Sequence, residues 1–181
     1  MNILTPKTEG FAIWITGLPA SGKTALAEAI MRRLYEWYEI KVVNLESDTL
    51  RKVLTPEPTY SHKERDWLYG VMAYIGQMLT TNGINVIFDA TGNKRAHRDK
   101  TRASIPKFME VYTRCPLQTC MARDPKGIYR MAQVGNASTV PGIQDPYEEP
   151  ESPEVIIESD KVSPEDGAEH VIAKMKEKGW V

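Results

Sequence analysis

Short apolar runs alternate along the chain with segments in which apolar residues recur every three or four positions. The apolar runs predict five β-strands, at residues 11–16, 41–45, 84–88, 108–112 and 155–157. The helical spacing predicts five helices, at residues 23–38, 61–82, 94–105, 116–123 and 164–178. Because strands and helices alternate, we expect an α/β fold in which about five parallel strands form a sheet with helices on both faces.

The predicted helix at 61–82 is the longest, and its large apolar side chains indicate which side faces the sheet. We assign that side to Trp67, Val71, Tyr74, Ile75 and Met78. Gly83 follows directly and is typical of a helix C-terminus. The helix that begins at Lys94 is instead rich in basic residues, and we expect most of them to face solvent, with the direction of Arg98 left open.

A glycine-rich loop joins the first strand to the first helix and fits the phosphate-binding pattern G-x-x-x-x-G-K-[ST]. Its residues are Gly17, Leu18, Pro19, Ala20, Ser21, Gly22, Lys23 and Thr24. In such a loop the glycines let main-chain N–H groups approach a phosphate, and the following helix N-terminus adds to the attraction. Lys23 would reach the outer phosphates of ATP, and the Thr24 hydroxyl is a ligand for Mg²⁺. The strand–loop–helix setting therefore predicts a P-loop NTPase fold, a three-layer sandwich.

Carboxylates follow two of the predicted strands, at the sheet edge where doubly wound folds bind ligands. Asp48 is our candidate for the base that accepts the proton of a substrate hydroxyl, the alternative being a helix N-cap. Asp89 is placed to hold Mg²⁺ opposite Thr24, the alternative being a turn residue at a strand end. Glu46 is as consistent with a solvated side chain as with a substrate contact.

Composition limits the other classes of function. The chain has 181 residues, a net charge of −1 and a pI of about 6.3, which predict one domain (1–181) and argue against nucleic-acid or membrane partners. Cys115 and Cys120 are too few for a disulfide framework or a four-ligand zinc site, and we expect buried, reduced thiols. With no signal-like segment and no apolar run near ~20 residues, we expect a cytoplasmic protein.

Two segments near the C-terminal end resemble the adenylyl-sulfate kinase family of P-loop kinases. They are A-R-D-P-K-G-I-Y at 122–129 and G-I-Q-D-P-Y-E-E-P at 142–150, and the P-loop region also matches. The resemblance implies Mg²⁺-dependent transfer of the ATP γ-phosphoryl group to the 3′-hydroxyl of adenosine 5′-phosphosulfate (APS), giving PAPS. It further implies a lid at about 123–150 that excludes water, with the acidic residues 145–154 wrapping over the nucleotide, the alternative being a disordered linker.

The resemblance also implies roles for individual residues. Arg51, Arg65 and Lys126 would address the substrate anion, although surface salt bridges are an alternative for the two arginines. Arg123 would contact ATP, and Tyr60 would stack on adenine or, alternatively, anchor its loop. The acceptor contacts so implied are Glu46, Asp48, Arg51, Tyr60, Arg65, Thr91, Gly92, Lys126, Thr139 and Val140. A homodimer is a further implication.

The sequence departs from the family pattern around the expected acceptor site. Tyr60 and Val140 stand where the family has stacking phenylalanines, and residues 91–95 read T-G-N-K-R in place of I-S-P-Y-R. The run 88–93 instead resembles an element of polynucleotide-kinase-like enzymes. A kinase acting on another small-molecule or nucleotide hydroxyl is therefore the alternative function. A non-catalytic nucleotide-binding module is a third, which the P-loop lysine and Asp48 argue against.

Overall fold

The structure, a computed structural model, describes residues 9–137 and 139–181. Residues 1–8 and Ser138, which the predicted domain and lid include, lie outside the described residues. The strands are β1 (Ala12–Thr16), β2 (Val42–Glu46), β3 (Asn85–Asp89), β4 (Phe108–Arg114) and β5 (Val155–Glu158). The helices are α1 (Lys23–Tyr38), α2 (Ser47–Leu54), α3 (His62–Thr81), α4 (Arg95–Ser104), α5 (Leu117–Arg123), α6 (Ile128–Gln133) and α7 (Pro164–Glu177). Apolar periodicity predicts all of these elements except α2 and α6.

The five strands form one parallel sheet in the order β2-β3-β1-β4-β5, which confirms the predicted three-layer architecture. Central strand β1 is buried along its whole length. Since alternate strand residues face opposite sides, Ile13 and Ile15 pack with α1 and α7, while Trp14 packs with α3 on the other face. The Trp14 ring also stacks on Phe88 of β3, with ring centroids 4.9 Å apart. Parallel pairing brings the carboxyl ends of all five strands to one edge.

Helix α3 presents only a small part of the predicted face to the sheet, since Ile75 packs against the core but its larger neighbours do not. Trp67, Tyr74 and Met78 are 49%, 67% and 49% exposed. The buried side chains form a different row: Arg65, Leu68, Tyr69, Met72, Ala73, Gly76 and Thr80. Both rows have helical spacing, so periodicity alone does not choose between them. Gly76 decides the choice, because its missing side chain leaves room for the Phe88 ring against the helix.

This close approach gives a test of the packing. A Cβ atom at Gly76 would lie 2.1 Å from the Phe88 ring, so we expect Gly76→Ala to lower the free energy of unfolding by about 1–3 kcal/mol, as overpacking does. Gly70, on the same helix, has nothing within 4 Å of its Cβ position. The matched variant Gly70→Ala should raise the free energy of unfolding by about 0.5–1 kcal/mol, because alanine favours helix more than glycine. Urea denaturation measures both, and equal stability of Gly76→Ala and wild type would contradict the packing.

The acidic residues 145–154, here called the acidic strap, lie against helix α4. The arginines of α4 are its partners: Arg95 bonds Glu148, Glu149 and Glu151, Arg98 bonds the Glu148 carbonyl, and Arg102 bonds Glu154. Arg98 is only 1% exposed and its Nε donates to Glu110 of β4 at 2.6 Å. The direction of Arg98, left open by the sequence, is therefore inward, whereas the side chains of Arg95 and Arg102 stay 43% and 35% exposed while pairing with the strap.

Two expectations from composition can be compared with the structure. Cys115 and Cys120 are buried and unbridged, which confirms the predicted free thiols. Over the part of the chain that the structure describes, no helix combines the length and apolar character needed to cross a bilayer.

Candidate functional site

A cavity of about 840 Å³ opens at the carboxyl edge of the sheet. Its walls come from the P-loop, the β2–α2 junction, the start of α3, the end of β3 and the segment 123–141. These elements are far apart along the chain, and the parallel sheet brings their ends together. The site predicted at this edge therefore coincides with the cavity.

Two glycines and one hydrogen bond to β4 set the path of the P-loop beside the cavity. A Cβ atom at Gly17 would lie 2.2 Å from the Thr113 hydroxyl, so no larger residue fits there. Gly22 is the N-cap of α1 and has φ 92°, a conformation that glycine adopts at little cost. The Ser21 hydroxyl hydrogen-bonds that of Thr113 at 2.7 Å and so fixes the loop on β4. This arrangement holds the first turn of α1 at the cavity as an anion-binding terminus.

Lys23 lies within the loop and bonds its main chain. Its Nζ donates to the carbonyls of Gly17 at 3.2 Å and Leu18 at 2.8 Å. Burial lowers the pKa of Lys23, while the nearby carboxylates of Asp89 and Asp48 oppose the shift. Since both acids act on one ammonium group, the P-loop and the two strand ends converge on a common centre.

Thr24 and Asp89 meet across the cavity floor. The Thr24 hydroxyl donates to Asp89 Oδ2 at 2.6 Å, and Asp89, the last residue of β3, is 3% exposed. Burial raises the pKa of Asp89, and the hydrogen bond from Thr24 and the charge of Lys23 counteract it. A hydroxyl beside a carboxylate is a set of hard oxygen donors, which suits Mg²⁺.

Asp48 stands in the first turn of α2 and faces the segment 123–141. Its Oδ2 accepts a hydrogen bond from Lys126 Nζ at 2.5 Å, and both side chains are about half exposed. The N-cap of α2 is Glu46, so the alternative of Asp48 as a helix cap does not describe this structure. Burial would lower the pKa of Lys126, but the bond and charge of Asp48 outweigh it and raise the pKa.

Arg51 and Arg65 line the same cavity but are already paired with acids. Arg51 bonds Glu64 at 2.6 Å and lies under the Tyr60 ring, 4.8 Å from its centroid. Arg65 bonds Asp145 at 2.6 Å and also donates to the carbonyl of Thr139. The two arginines are only 7% and 5% exposed, so the alternative of surface salt bridges is wrong. Their partners hold the guanidinium groups in place along one wall.

A family model described as adenylylsulphate kinase matches residues 9–158. The probable adenylyl-sulfate kinase of Pyrococcus abyssi is 38% identical over 174 residues, covering 96% of this chain and 99% of the relative. That of Archaeoglobus fulgidus is 42% identical over 152 residues, covering 83% and 97%. The APS kinase CysC of Mycobacterium tuberculosis, in complex with AMPPNP and APS, superposes with a TM-score of 0.86 at 31% identity, covering 93% of this chain and 98% of that one. The chain belongs to the adenylyl-sulfate kinase family.

In this member of the adenylyl-sulfate kinase family, most of the residues implied by the resemblance lie on the cavity wall. The lining residues not yet described are Pro19, Ala20, Glu46, Thr91, Arg123, Thr139 and Val140. Gly17 and Ser21 instead pack against Thr113 and do not line the cavity. Leu18 lies behind the wall, where it packs with a small cluster around Val140. Gly92 also lies away from the cavity. It packs against the Trp14 ring, and its N–H donates to the Tyr69 hydroxyl at 3.1 Å.

The acidic strap contributes less to the cavity than expected of an adenylyl-sulfate kinase lid. Described residues between 123 and 141 form one side of the wall, whereas none of residues 142–154 lines the cavity. The strap instead pairs with α4 and reaches β1 through Tyr147, whose hydroxyl bonds that of Thr16 at 2.9 Å. The basic helix α4 thus supplies the partners of the strap in the structure. The wrap of residues 145–154 over a bound nucleotide stays a prediction.

Several lining residues were not among the predicted site residues. The apolar ones from the lid side are Pro125, Ile128, Met131, Ala137 and Pro141, and α3 adds Tyr69. One sequence signal for Tyr69 existed, because it lies four residues after Arg65 and so shares its helix face. This spacing identifies Tyr69 as a wall residue only if the buried side of α3 is already known. The apolar residues between 125 and 141 carry no comparable pattern, because their place on the wall depends on contacts with elements far along the chain.

Proposed function

We propose that this protein is an ATP-dependent adenylyl-sulfate kinase that phosphorylates the 3′-hydroxyl of APS. The observation that carries the proposal is the convergence of Lys23, Asp48 and Asp89 at one cavity in a chain of this family. The cavity of about 840 Å³ lies near the upper end of the range for small-molecule sites. Such a volume suits a site that takes a nucleotide donor and a nucleotide acceptor together.

In the proposed reaction, the oxygen of the acceptor 3′-hydroxyl forms a bond to the γ-phosphorus of ATP. Asp48 accepts the proton that this hydroxyl loses. The bond from that phosphorus to the bridging oxygen of ADP breaks at the same centre, and ADP leaves with the bond's electron pair. Lys23 and the P-loop N–H groups bind the phosphate oxygens and stabilise their charge. Lys126 forms an ion pair with Asp48 in the free protein. When the anionic acceptor binds, Lys126 would contact the anion and leave Asp48 free to accept the proton.

We place Mg²⁺ at Thr24 and Asp89. Thr24 would bind the ion through its hydroxyl, and Asp89 would hold it through water, as in other P-loop enzymes. Within residues 9–137 and 139–181, no group of three or more His, Cys, Asp or Glu side chains is arranged to hold a metal. The ATP phosphates and water would therefore complete the coordination. When bound, the ion would neutralise charge on the phosphates.

A kinase for a different acceptor is the competing proposal. It is favoured by the altered residues 91–95 and by Val140, a 5% exposed aliphatic residue where the resemblance places an aromatic ring. The assay is ADP release with APS, compared with adenosine 5′-phosphate, nucleosides and sugars as acceptors. Turnover with APS well above the other acceptors is expected. Absence of turnover with APS would overturn the proposal, and turnover with another acceptor would establish the competitor.

Three properties of the whole protein remain predictions. They are a single kinase domain over 1–181, a cytoplasmic location and a homodimer. Light scattering after size-exclusion chromatography measures the oligomeric state, and limited proteolysis with and without ADP tests the domain and lid.

A further inference from the structure

Tyr69 is a cavity-lining residue for which neither the motifs nor the proposed chemistry provides a role. It is 5% exposed, and its ring packs between His97, at 4.6 Å, and Trp14, at 6.0 Å between centroids. These contacts fix the ring. Its edge nonetheless reaches the cavity beside Arg65, which lies four residues earlier on the same face of α3.

The Tyr69 hydroxyl is oriented by one peptide group. The N–H of Gly92 donates to the phenol oxygen at 3.1 Å, while the carbonyl of Thr91, at the other end of that peptide, accepts from the Thr16 hydroxyl at 2.6 Å. The phenol oxygen therefore already accepts one hydrogen bond. Across the described ranges 9–137 and 139–181, the hydroxyl proton has no acceptor.

The charges around the phenol favour an anionic acceptor for that proton. Arg51 and Arg65 line the same wall, each held by an acid partner. Burial raises the pKa of Tyr69, although the Gly92 bond and the two arginines oppose the shift, so the phenol stays protonated at neutral pH. A protonated phenol beside two guanidinium groups is a donor set for phosphate or sulfate oxygens.

We propose that the Tyr69 hydroxyl donates to an oxygen of the acceptor's phosphosulfate group and so helps to select an anionic acceptor. The identity of the anion rests on the proposed function, whereas the presence of an anion subsite rests on Tyr69, Arg51 and Arg65. Tyr69 contributes no proton to the reaction. It holds the substrate, so its removal acts on acceptor affinity.

The test is Tyr69→Phe, with Tyr74→Phe as the matched control, since Tyr74 is 67% exposed on the same helix. Loss of a hydrogen bond to a charged group should raise the KM for APS by about tenfold or more. The KM for ATP and kcat should stay near wild type, and Tyr74→Phe should match wild type throughout. A purely structural tyrosine would instead lower the thermal midpoint and weaken both substrates. An unchanged KM for APS in Tyr69→Phe overturns the proposal.

A binding measurement separates this inference from the proposed function. Inorganic pyrophosphate is titrated calorimetrically into metal-free protein saturated with ADP. If wild type does not phosphorylate APS, the proposed function fails, but weaker pyrophosphate binding by Tyr69→Phe than by wild type still supports the anion subsite. Equal binding by the two proteins overturns it.

A labelled protein covers the case in which Tyr69→Phe does not fold. Replacing Tyr69 by 3-fluorotyrosine keeps the ring and the Gly92 hydrogen bond. Its ¹⁹F resonance should move when pyrophosphate is added, while the same label at position 74 should not respond. An unmoved resonance at position 69 overturns the proposal.

Discussion

Asp48→Asn will lower the turnover number with APS by about 10²–10⁴-fold, the usual contribution of a positioned general base. Asparagine has the size of aspartate but cannot accept the proton of the acceptor hydroxyl at neutral pH. Asp48 lies at the mouth of the cavity, in the first turn of α2, with its carboxylate turned to Lys126. ATP affinity should change little, because the P-loop contacts are separate. Steady-state kinetics with each substrate varied in turn measure the effect.

Two controls show whether the carboxylate acts on the substrate. Asp99→Asn makes the same chemical change at an exposed position of α4 and should behave as wild type. Lys126→Met removes the ion-pair partner but keeps the acid, and because Lys126 is also proposed to contact the substrate anion, it should raise the KM for APS more than it lowers turnover. If Asp48 served only to hold Lys126, Lys126→Met would lower turnover as much as Asp48→Asn. Turnover by Asp48→Asn comparable to that of wild type would refute the assignment of the base.

Lys23→Ala will lower kcat/KM for ATP by about 10²–10³-fold, the cost of losing one donor that stabilises developing charge. The ammonium group lies inside the P-loop and bonds two carbonyls of that loop, so it is already positioned for a phosphate. We expect little change in stability, because the two hydrogen bonds that are lost are offset by relief of the burial that lowers the pKa of Lys23. Calorimetric titration of ATP and unfolding curves measure the two properties.

The matched control for this variant is Lys100→Ala, at an exposed site of α4. It removes the same charge from the protein, so it separates a local effect from a change in net charge. Lys100→Ala should bind ATP as wild type does. If Lys23→Ala bound ATP with unchanged affinity and turned over normally, the P-loop would not be the phosphate site.

The sequence predicts the P-loop and the succession of strands and helices along the chain, because both depend on local patterns of residues. A strand, two glycines, a lysine and a threonine at fixed spacing specify a backbone path that few other sequences adopt. The same holds for β1 and α1, whose apolar periods agree with the observed elements. By contrast, α3 carries two apolar rows. Trp67, Tyr74 and Met78 have the helical spacing of a core face, yet they belong to the row that is largely exposed.

Buried charges were also outside the reach of sequence patterns. Burial of Arg51 and Arg65 beside Glu64 and Asp145 excludes the surface alternative for both, and no local pattern predicts these pairs. Asp145 is 80 residues from Arg65, and no local rule connects them. The acidic strap likewise pairs with α4, and the two segments come together only when the sheet has folded.

The sequence by itself determined the fold class and the phosphate-binding loop, together with the family resemblance that the comparisons confirmed, because these depend on neighbours within a few residues or on motifs read directly. The tertiary structure alone decided which face of α3 is buried, that the strap leaves the cavity, and that Tyr69 stands on its wall beside Arg65. These outcomes depend on which distant surfaces meet when the strands align in parallel. The free energy gained by burying a surface depends on the surface that packs against it. When the two are far apart along the chain, the local sequence pattern does not show which surfaces will pack together.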